Sequence, residues 1–309
     1  MFKYSLDNKR YHTLNYFYKS KFNKKIAKIP LNGGFSCPNK VNGSGCIFCS
    51  LSGSGDFAGD KTQDLVTQFN EEKKMYQKKW KDMKYIGYFQ ANTNTYAKVD
   101  KLKSMYETVL SIDDVVGLAI ATRSDAIEDD VFEYLCELNK RTFLTIELGL
   151  QSSSLKTLEY INRGHSLKNF EDMVIKLRKN NINTVVHIIN GLPGESKKDM
   201  LNTVKYLNNL GIDGIKIHML YIIKDTLLDK IYKEKPFHIL SLDEYKDIVC
   251  DQLEILDENI VIHRITGDPD KKTLVEPSWL LDKFSVLNSI DKEMERRGTN
   301  QGYKKKTIL

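Results

Sequence analysis

The chain has 309 residues, enough to bury one large core, and its 41% hydrophobic and 28% charged residues are typical of a globular protein. No apolar run reaches the length of a membrane span, the basic and aromatic N-terminus does not resemble a signal peptide, and five cysteines do not make a secreted disulfide framework. We therefore expect a cytoplasmic protein with no membrane segment. Its formal net charge at pH 7 is +6.

The positive charge is concentrated at the two ends of the chain. Residues 1–30 carry eight Lys or Arg and one Asp, residues 296–309 carry five basic residues, and the middle is acidic. Aromatic residues are interleaved with the basic ones in the first segment. Because nucleic-acid surfaces combine cations with rings that stack on bases, this segment is a candidate RNA-binding element. The alternative is that the lysines are merely solvated and the rings pack beneath the fold.

Short β-rich runs alternate with helical patterns along most of the chain. From the second predicted strand to the sixth, the strand starts differ by 28 to 41 residues, which leaves room for one helix and two loops. This spacing predicts βα units and a parallel sheet. The predicted strands are 26–31, 85–90, 115–121, 143–150, 184–190, 214–221 and 259–265.

Apolar stripes at helical spacing predict core-facing helices between the strands. The three stripes are Leu65, Phe69, Tyr76 and Trp80; then Val99, Leu102, Met105 and Val109; then Phe170, Met173, Val174 and Leu177. From about residue 224 the regular alternation is lost. We therefore predict three regions: a basic, aromatic segment over 1–30, a βα domain over 31–223, and a C-terminal extension over 224–309.

Cys37, Cys46 and Cys49 lie in the loop after the first predicted strand. Three thiolates can hold three corners of a [4Fe–4S] cube and leave one iron open for a ligand. A zinc site is the alternative, but structural zinc wants four ligands, and the loop over 32–55 has no His and no fourth Cys. A redox pair of Cys46 and Cys49 would leave Cys37 unexplained.

Polar segments follow several other predicted strands, at 90–95, 122–125, 151–152 and 190–195. Loops that follow parallel strands meet at one edge of the sheet, where ligands bind, so these segments and the cysteine loop predict a single site.

Charged residues within apolar strands are further candidates for this site. Glu147 lies in the apolar run 143–148, where a charged residue is seldom a core filler. Lys216 and His218 alternate along 214–219, so both could point into a barrel, although His218 could equally be structural. The same alternatives apply to His187, in the strand 184–190. Asp125 is predicted to cap the helix that starts near 128.

These residues resemble the radical S-adenosylmethionine (SAM) superfamily. Within it the chain is similar to the YtqA/YhcC-type group, which is related to the radical SAM half of the Elongator catalytic subunit. The order and spacing of several short segments carry the resemblance: 33–39 with 46–49, then 122–125, 147–152, 162–165, 191–195, 263–269 and 276–279.

The resemblance implies an α/β fold, a partial (β/α)₆ TIM-like barrel with a C-terminal α/β extension. It also implies two cofactors, a [4Fe–4S] cluster and SAM. In this superfamily SAM binds the open iron, and reductive cleavage yields a 5′-deoxyadenosyl radical that abstracts a substrate hydrogen. A reductant such as flavodoxin or ferredoxin is therefore an expected partner, and we expect a monomer or weak dimer.

Roles can be transferred position by position. The iron ligands would be Cys37, Cys46 and Cys49, with eight residues between the first two where the commonest spacing has three. The SAM-binding positions would be Gln90, Asn92, Glu147, Gln151, Arg163, Gly191 and Gly194. Of these, Glu147 and Gln151 would reach the amino or ribose groups, and Arg163 would pair with the carboxylate. The segment 90–95 departs from the Gly-Gly-Glu sequence that is common at its position.

The resemblance further implies tRNA as substrate, with a wobble-uridine modification of the MnmL type. That reaction converts 5-carboxymethylaminomethyl(-2-thio)uridine to 5-aminomethyl(-2-thio)uridine, by hydrogen abstraction beside the carboxylate followed by C–N fragmentation. A cation would hold the carboxylate, and Lys216, Arg123 and Arg264 are the candidates. The alternatives are a radical SAM enzyme acting on a small metabolite or peptide, and a non-catalytic iron–sulfur or zinc module that binds RNA.

Overall fold

The computed structural model describes residues 2–4, 9–50, 53 and 58–305. The strands are β1 (Lys25–Leu31), β2 (Met83–Phe89), β3 (Val115–Thr122), β4 (Phe143–Gln151), β5 (Asn183–Asn190), β6 (Gly214–Met219), β7 (Ile222–Ile223), β8 (Val261–Arg264) and β9 (Leu274–Glu276). The helices are α1 (Leu14–Phe22), α2 (Pro38–Val41), α3 (Leu65–Gln77), α4 (Val99–Leu110), α5 (Asp129–Asn139), α6 (Leu155–Tyr160), α7 (Leu167–Lys179), α8 (Lys197–Leu210), α9 (Leu227–Glu234), α10 (Leu242–Ile255) and α11 (Lys283–Arg296).

Seven parallel strands form one curled sheet in the order β1-β2-β3-β4-β5-β6-β8. Helices connect successive strands as the spacing predicts, and the two edge strands, β1 and β8, leave the barrel open on one side. The predicted fold class, an α/β partial barrel, is confirmed. The predicted strand over 259–265 contains β8, which pairs with β6 and so extends the same sheet.

The helices begin where the sequence supplies caps, and they bury the predicted stripes. Ser196 and Ser241 each form a capping box, with Asp199 and Glu244 respectively. The stripe of α7 is buried throughout, from Phe170 to Leu177. The prediction is wrong for one residue of the stripes, Trp80. Because α3 ends at Gln77, Trp80 lies beyond the helix and is 40% exposed.

The aromatic residues of the N-terminal segment pack within the fold. Tyr18 of α1 is buried, Phe22 contacts Phe143 edge-on, and Tyr4 stacks on His12 with 4.0 Å between ring centroids. The α1 helix contacts both β1 and β8 at the open side of the barrel. Most of these rings therefore pack within the fold, as the alternative interpretation predicts.

Many of the basic residues at both ends are neutralised by neighbours. Lys3 pairs with Glu258, and Arg297 pairs with Asp251 and Glu293. Lys306 lies outside the described residues. The charge asymmetry of the sequence is therefore insufficient to identify an RNA surface. No helix in the described segments is both long and apolar enough to cross a membrane.

Candidate functional site

The cysteine loop lies at the carboxyl edge of the sheet, directly after β1. Cys37 immediately precedes the short helix α2, and Cys46 and Cys49 close a turn in which the amide of Cys49 donates to the carbonyl of Cys46 at 3.0 Å. The loop is joined to the segment after α6, because the amide of Ile47 donates to the carbonyl of Ile161 at 3.1 Å.

Two asparagines fasten the cysteine loop to the segment 162–165. The Asn39 amide donates to the carbonyl of Asn162 at 2.7 Å and lies 3.6 Å from the Cys46 sulfur. In return the Asn162 amide donates to the carbonyl of Gly45 at 2.7 Å. At Gly164, where φ is +76°, a Cβ would lie 2.3 Å from the Asn39 side chain, so only glycine permits this approach.

Two guanidinium groups lie close to the cysteine thiols. Arg163 is buried and donates from Nε to the carbonyl of Gly149 at 3.1 Å. Arg123 forms a two-pronged pair with Asp125 and donates to the carbonyl of Arg163 at 2.8 Å. A hydrogen bond from Cys49, together with the charges of Arg163 and Arg123, lowers the pKa of Cys46 to about 6. This favours the thiolate, the form that binds metals, at Cys46, whereas the same hydrogen bond raises the pKa of Cys49.

The donor set fits an iron–sulfur cluster better than a zinc ion. Among the described residues, no three His, Cys, Asp or Glu side chains converge closely enough to hold one metal ion. In a [4Fe–4S] cube each thiolate binds a different iron, so the three sulfurs need not meet at one point. Three thiolates beside two guanidinium groups suit an anionic cluster.

A cavity of about 170 Å³ opens beside the cysteine loop. Its wall combines the cysteine loop with residues from the carboxyl halves of several strands and from the segment after β8. The lining residues include Phe48, Cys49, Tyr88, Gln90, Gln151, His187, Lys216, His218, Arg264 and Asp268.

A buried ionic network lies in the barrel interior, next to the cavity. The carboxylate of Glu147 is fully buried and contacts Lys28, Lys216 at 2.5 Å and His187 at 2.9 Å. Lys216 also donates to the Tyr88 hydroxyl at 2.9 Å. Burial alone would raise the pKa of Glu147, but the charges of Lys216 and Lys28 lower it well below its usual range.

The partners of Glu147 differ from those that the resemblance implies. Glu147 Oε2 contacts Lys216 and His187, and Oε1 accepts from Lys28, so Glu147 fixes Lys216 rather than presenting a free oxygen to SAM. Burial lowers the pKa of Lys216 to about 7, against the opposing effect of Glu147. Arg264 faces the same cavity, and its guanidinium forms no hydrogen bond or ion pair with any residue in the described part of the chain.

The other candidate residues are distributed unevenly around this cavity. Gln90 and Gln151 line it, as expected for ligand contacts. Asn92 accepts from Lys40 at 3.4 Å, next to the cysteine loop. Gly191 is buried with φ +84°, and Gly194 lines a separate groove near α9.

Two expectations near β3 need correction. Arg123 does not reach the cavity wall, because its guanidinium is held by Asp125 and the carbonyls of Arg163 and Gly164. Asp125 is not the cap of α5, whose N-cap is Glu128. Its role is to orient Arg123, which in turn positions the segment 162–165.

Sequence reasoning missed Lys28, Tyr88 and Asn39. Lys28 could have been identified from the sequence, because it is a charged residue within the apolar strand 26–31, as Glu147 is within its own strand. Tyr88 and Asn39 have ordinary local sequences, and only their contacts reveal them.

Comparisons with known proteins agree with this geometry. Residues 32–207 match the model of the Radical SAM superfamily, and residues 212–296 match the Radical_SAM C-terminal domain. The chain is 49% identical to YtqA of Bacillus subtilis (strain 168) over 97% of this chain and 94% of that protein. It is 30% identical to YhcC of Escherichia coli (strain K12) over 90% of each.

Among solved structures, the fold is similar to that of the archaeal Methanocaldococcus infernus Elp3 with an N-terminal deletion. The TM-score is 0.69 at 17% identity, over 89% of this chain and 64% of that one. The relationship to the YtqA/YhcC-type group and the Elongator-like fold, both predicted from the short segments, are confirmed.

Proposed function

Because the chain belongs to the radical SAM superfamily, we propose that it is an enzyme that modifies tRNA, converting 5-carboxymethylaminomethyl(-2-thio)uridine to 5-aminomethyl(-2-thio)uridine at the wobble position. Cys37, Cys46 and Cys49 are the ligands for its [4Fe–4S] cluster. With SAM bound and an electron from a donor such as flavodoxin or ferredoxin, the cluster would supply the radical for hydrogen abstraction. Return of one electron from the substrate radical to the oxidised cluster would give an imine, and addition of water to it would release the 5-aminomethyl product and glyoxylate.

The observation that carries the proposal is the unbalanced positive charge of the cavity. Lys216 and Lys28 share the single carboxylate of Glu147. The carboxylate that lines the cavity, Asp268, is paired with Lys283, and the guanidinium of Arg264 has no ion-pair partner among the described residues. A cation held away from bulk water is costly without an anionic partner. The substrate carboxylate would supply that partner, and the planar fork of Arg264 can bind both of its oxygens.

Anchoring the carboxylate also fixes the atom that reacts. The methylene to be attacked is bonded directly to the carboxylate carbon, so Lys216 and Arg264 would hold it in one place. The neighbouring wall carries Cys49, which brings the cluster ligands and the cations to the same cavity.

The cavity is too small for base-paired RNA, so an RNA substrate would have to present an unstacked nucleotide. A space of about 170 Å³ cannot admit an RNA helix. A wobble base lies in an anticodon loop, where leaving the stack costs less than in a duplex.

The SAM-binding role is assigned to a smaller set of residues than the resemblance implies. Gln90 and Gln151 line the cavity with Cys49 and are the candidates for direct contact. Arg163 is held through the carbonyl of Gly149, beside Gln151, and its charge favours an anion near the cysteines. We assign Glu147 to the lysine network instead, because three side chains already contact its carboxylate.

Substrate affinity is expected to fall as the pH rises through about 7. The folded-state pKa of Lys216 is about 7, so the lysine loses its charge above that value, and the attraction to the substrate carboxylate weakens. Burial keeps His187 and His218 neutral in this range, and the hydroxyl of Tyr88 titrates far above it. KM measured from pH 6 to 9 should rise more than kcat falls.

The matched variant for this prediction is Lys216→Met, which removes the titrating amine and keeps much of the volume. Its KM should be high at every pH, with the rise above pH 7 abolished. A rise of the same size in this variant would show that another group controls binding.

Nucleoside analysis of tRNA from a deletion strain tests the proposed function. We expect 5-carboxymethylaminomethyluridine to accumulate and 5-aminomethyluridine to be depleted, with the phenotype reversed by the wild-type chain and not by a cysteine variant. Unchanged wobble uridines would remove the tRNA assignment. In that case a radical SAM enzyme acting on a small metabolite or peptide becomes the leading alternative.

A further inference from the structure

A second groove, of about 430 Å³, lies along β1 and shares part of its lining with the cavity. One side is formed by β1 and the other by α1 and β8. Five residues line both spaces: Tyr88, Gln90, Lys216, Arg264 and Asp268. The groove therefore adjoins the cavity at the cations of the proposed site.

The lining of this groove carries more cations than carboxylates, although two of the cations, Lys28 and Lys216, share the buried carboxylate of Glu147. Lys25, Lys28, Lys216 and Arg264 face it, against one carboxylate, that of Asp268. Asp268 is itself paired with Lys283 at 3.1 Å. A polyanion therefore fits this groove, and an acidic phosphate backbone would be drawn along it.

The outer end of the groove carries an exposed aromatic residue with a cation beside it. Trp80 is 40% exposed, and the ammonium of Lys25 lies 3.4 Å from the centroid of its ring. Lys25 forms no ion pair with any residue that the structure describes. Sites for single-stranded nucleic acid combine a stacking ring and a backbone-tracking cation in this way.

On the basis of the proposed function, we infer that the RNA strand enters along this groove. A base near the reacting nucleotide stacks on Trp80, and the phosphate of the stacked nucleotide is held by Lys25. Lys25 and Lys28 are three positions apart, which corresponds to about 10 Å along the strand. The stacking site at Trp80 and Lys25 is therefore separated from the cations near the cavity. This separation suits a neighbouring nucleotide rather than the reacting one.

The affinity of the cluster-loaded protein for an unmodified tRNA anticodon stem-loop tests the inference. Trp80→Ala should weaken binding roughly ten- to hundredfold, whereas Trp80→Phe, which keeps a ring for stacking, should stay within about threefold. Phe284→Ala, at an aromatic residue of α11 that is 78% exposed, is the matched control and should bind as the wild type does. SAM cleavage without RNA should be the same in all four proteins.

Tryptophan fluorescence gives a second readout that does not depend on activity. The chain has two tryptophans, and Trp279 is half-buried, with its indole N–H donating to the carbonyl of Leu240 at 3.1 Å. Stem-loop RNA should quench wild-type emission and protect it from iodide. The Trp80→Phe protein, which retains Trp279, should show neither effect.

Unchanged affinity in Trp80→Ala, or quenching that persists in Trp80→Phe, would overturn the groove as the RNA path, as would a wild-type protein that does not bind the stem-loop. The proposed function fails separately. Tight, Trp80-dependent RNA binding without any change in the nucleoside would contradict the reaction and leave the entry path intact.

Discussion

Replacing Cys46 with alanine is expected to abolish both the iron–sulfur chromophore and SAM cleavage. The loop offers three thiolates, and a cube that already has one open iron cannot lose a second protein ligand and stay bound. In the anaerobically reconstituted variant, iron and sulfide content and 5′-deoxyadenosine formation should fall to the level of a sample without protein.

The control for this variant is Cys136→Ala. Cys136 is a partly buried cysteine of α5, away from the metal loop, and its replacement should leave the chromophore and the cleavage rate unchanged. A Cys46→Ala protein that keeps a full cluster would mean that the ligand set has been misassigned.

Replacing Glu147 with glutamine is expected to lower the free energy of unfolding by about 3–5 kcal/mol, since removing one partner of a buried ion pair leaves the other charge uncompensated. Here a single carboxylate serves Lys28 and Lys216. The chemical-denaturation midpoint of the anaerobic protein measures the effect. The same change should lower the pKa of Lys216 further and so raise KM at pH 7.

Two further proteins make this prediction specific. Glu107→Gln breaks a pair with Arg141 whose side chains are 44% and 49% exposed, and it should cost no more than about 1 kcal/mol. Adding Lys28→Met to Glu147→Gln removes one of the unpaired charges and should recover part of the loss. A loss below about 1 kcal/mol in Glu147→Gln would show that the network is not a coupled unit.

The sheet could be predicted from the sequence because its strands are short apolar runs at regular intervals, and each helix has its own periodic stripe. The position of the cysteine loop followed from topology alone, since it comes directly after a parallel strand. Glu147 was identifiable for a simple reason: it is a charge in the middle of an apolar strand.

The contacts of the site could not be predicted in the same way. The partners of Glu147 come from β1 and β6, which are distant in sequence, so no local pattern reveals that they share one carboxylate. Arg123 looked like a ligand-binding cation, but it pairs with Asp125 and donates to backbone carbonyls whose positions depend on the fold of 162–165. Trp80 fitted a helical stripe, and only the end of α3 at Gln77 leaves it exposed.

The most direct test of the proposed function is an anaerobic reaction of the reconstituted protein with SAM, a reductant and tRNA that carries 5-carboxymethylaminomethyluridine. We predict that this nucleoside is lost and 5-aminomethyluridine gained, in step with the 5′-deoxyadenosine that is formed. If 5′-deoxyadenosine accumulates while the wobble nucleoside stays intact, tRNA is not the substrate.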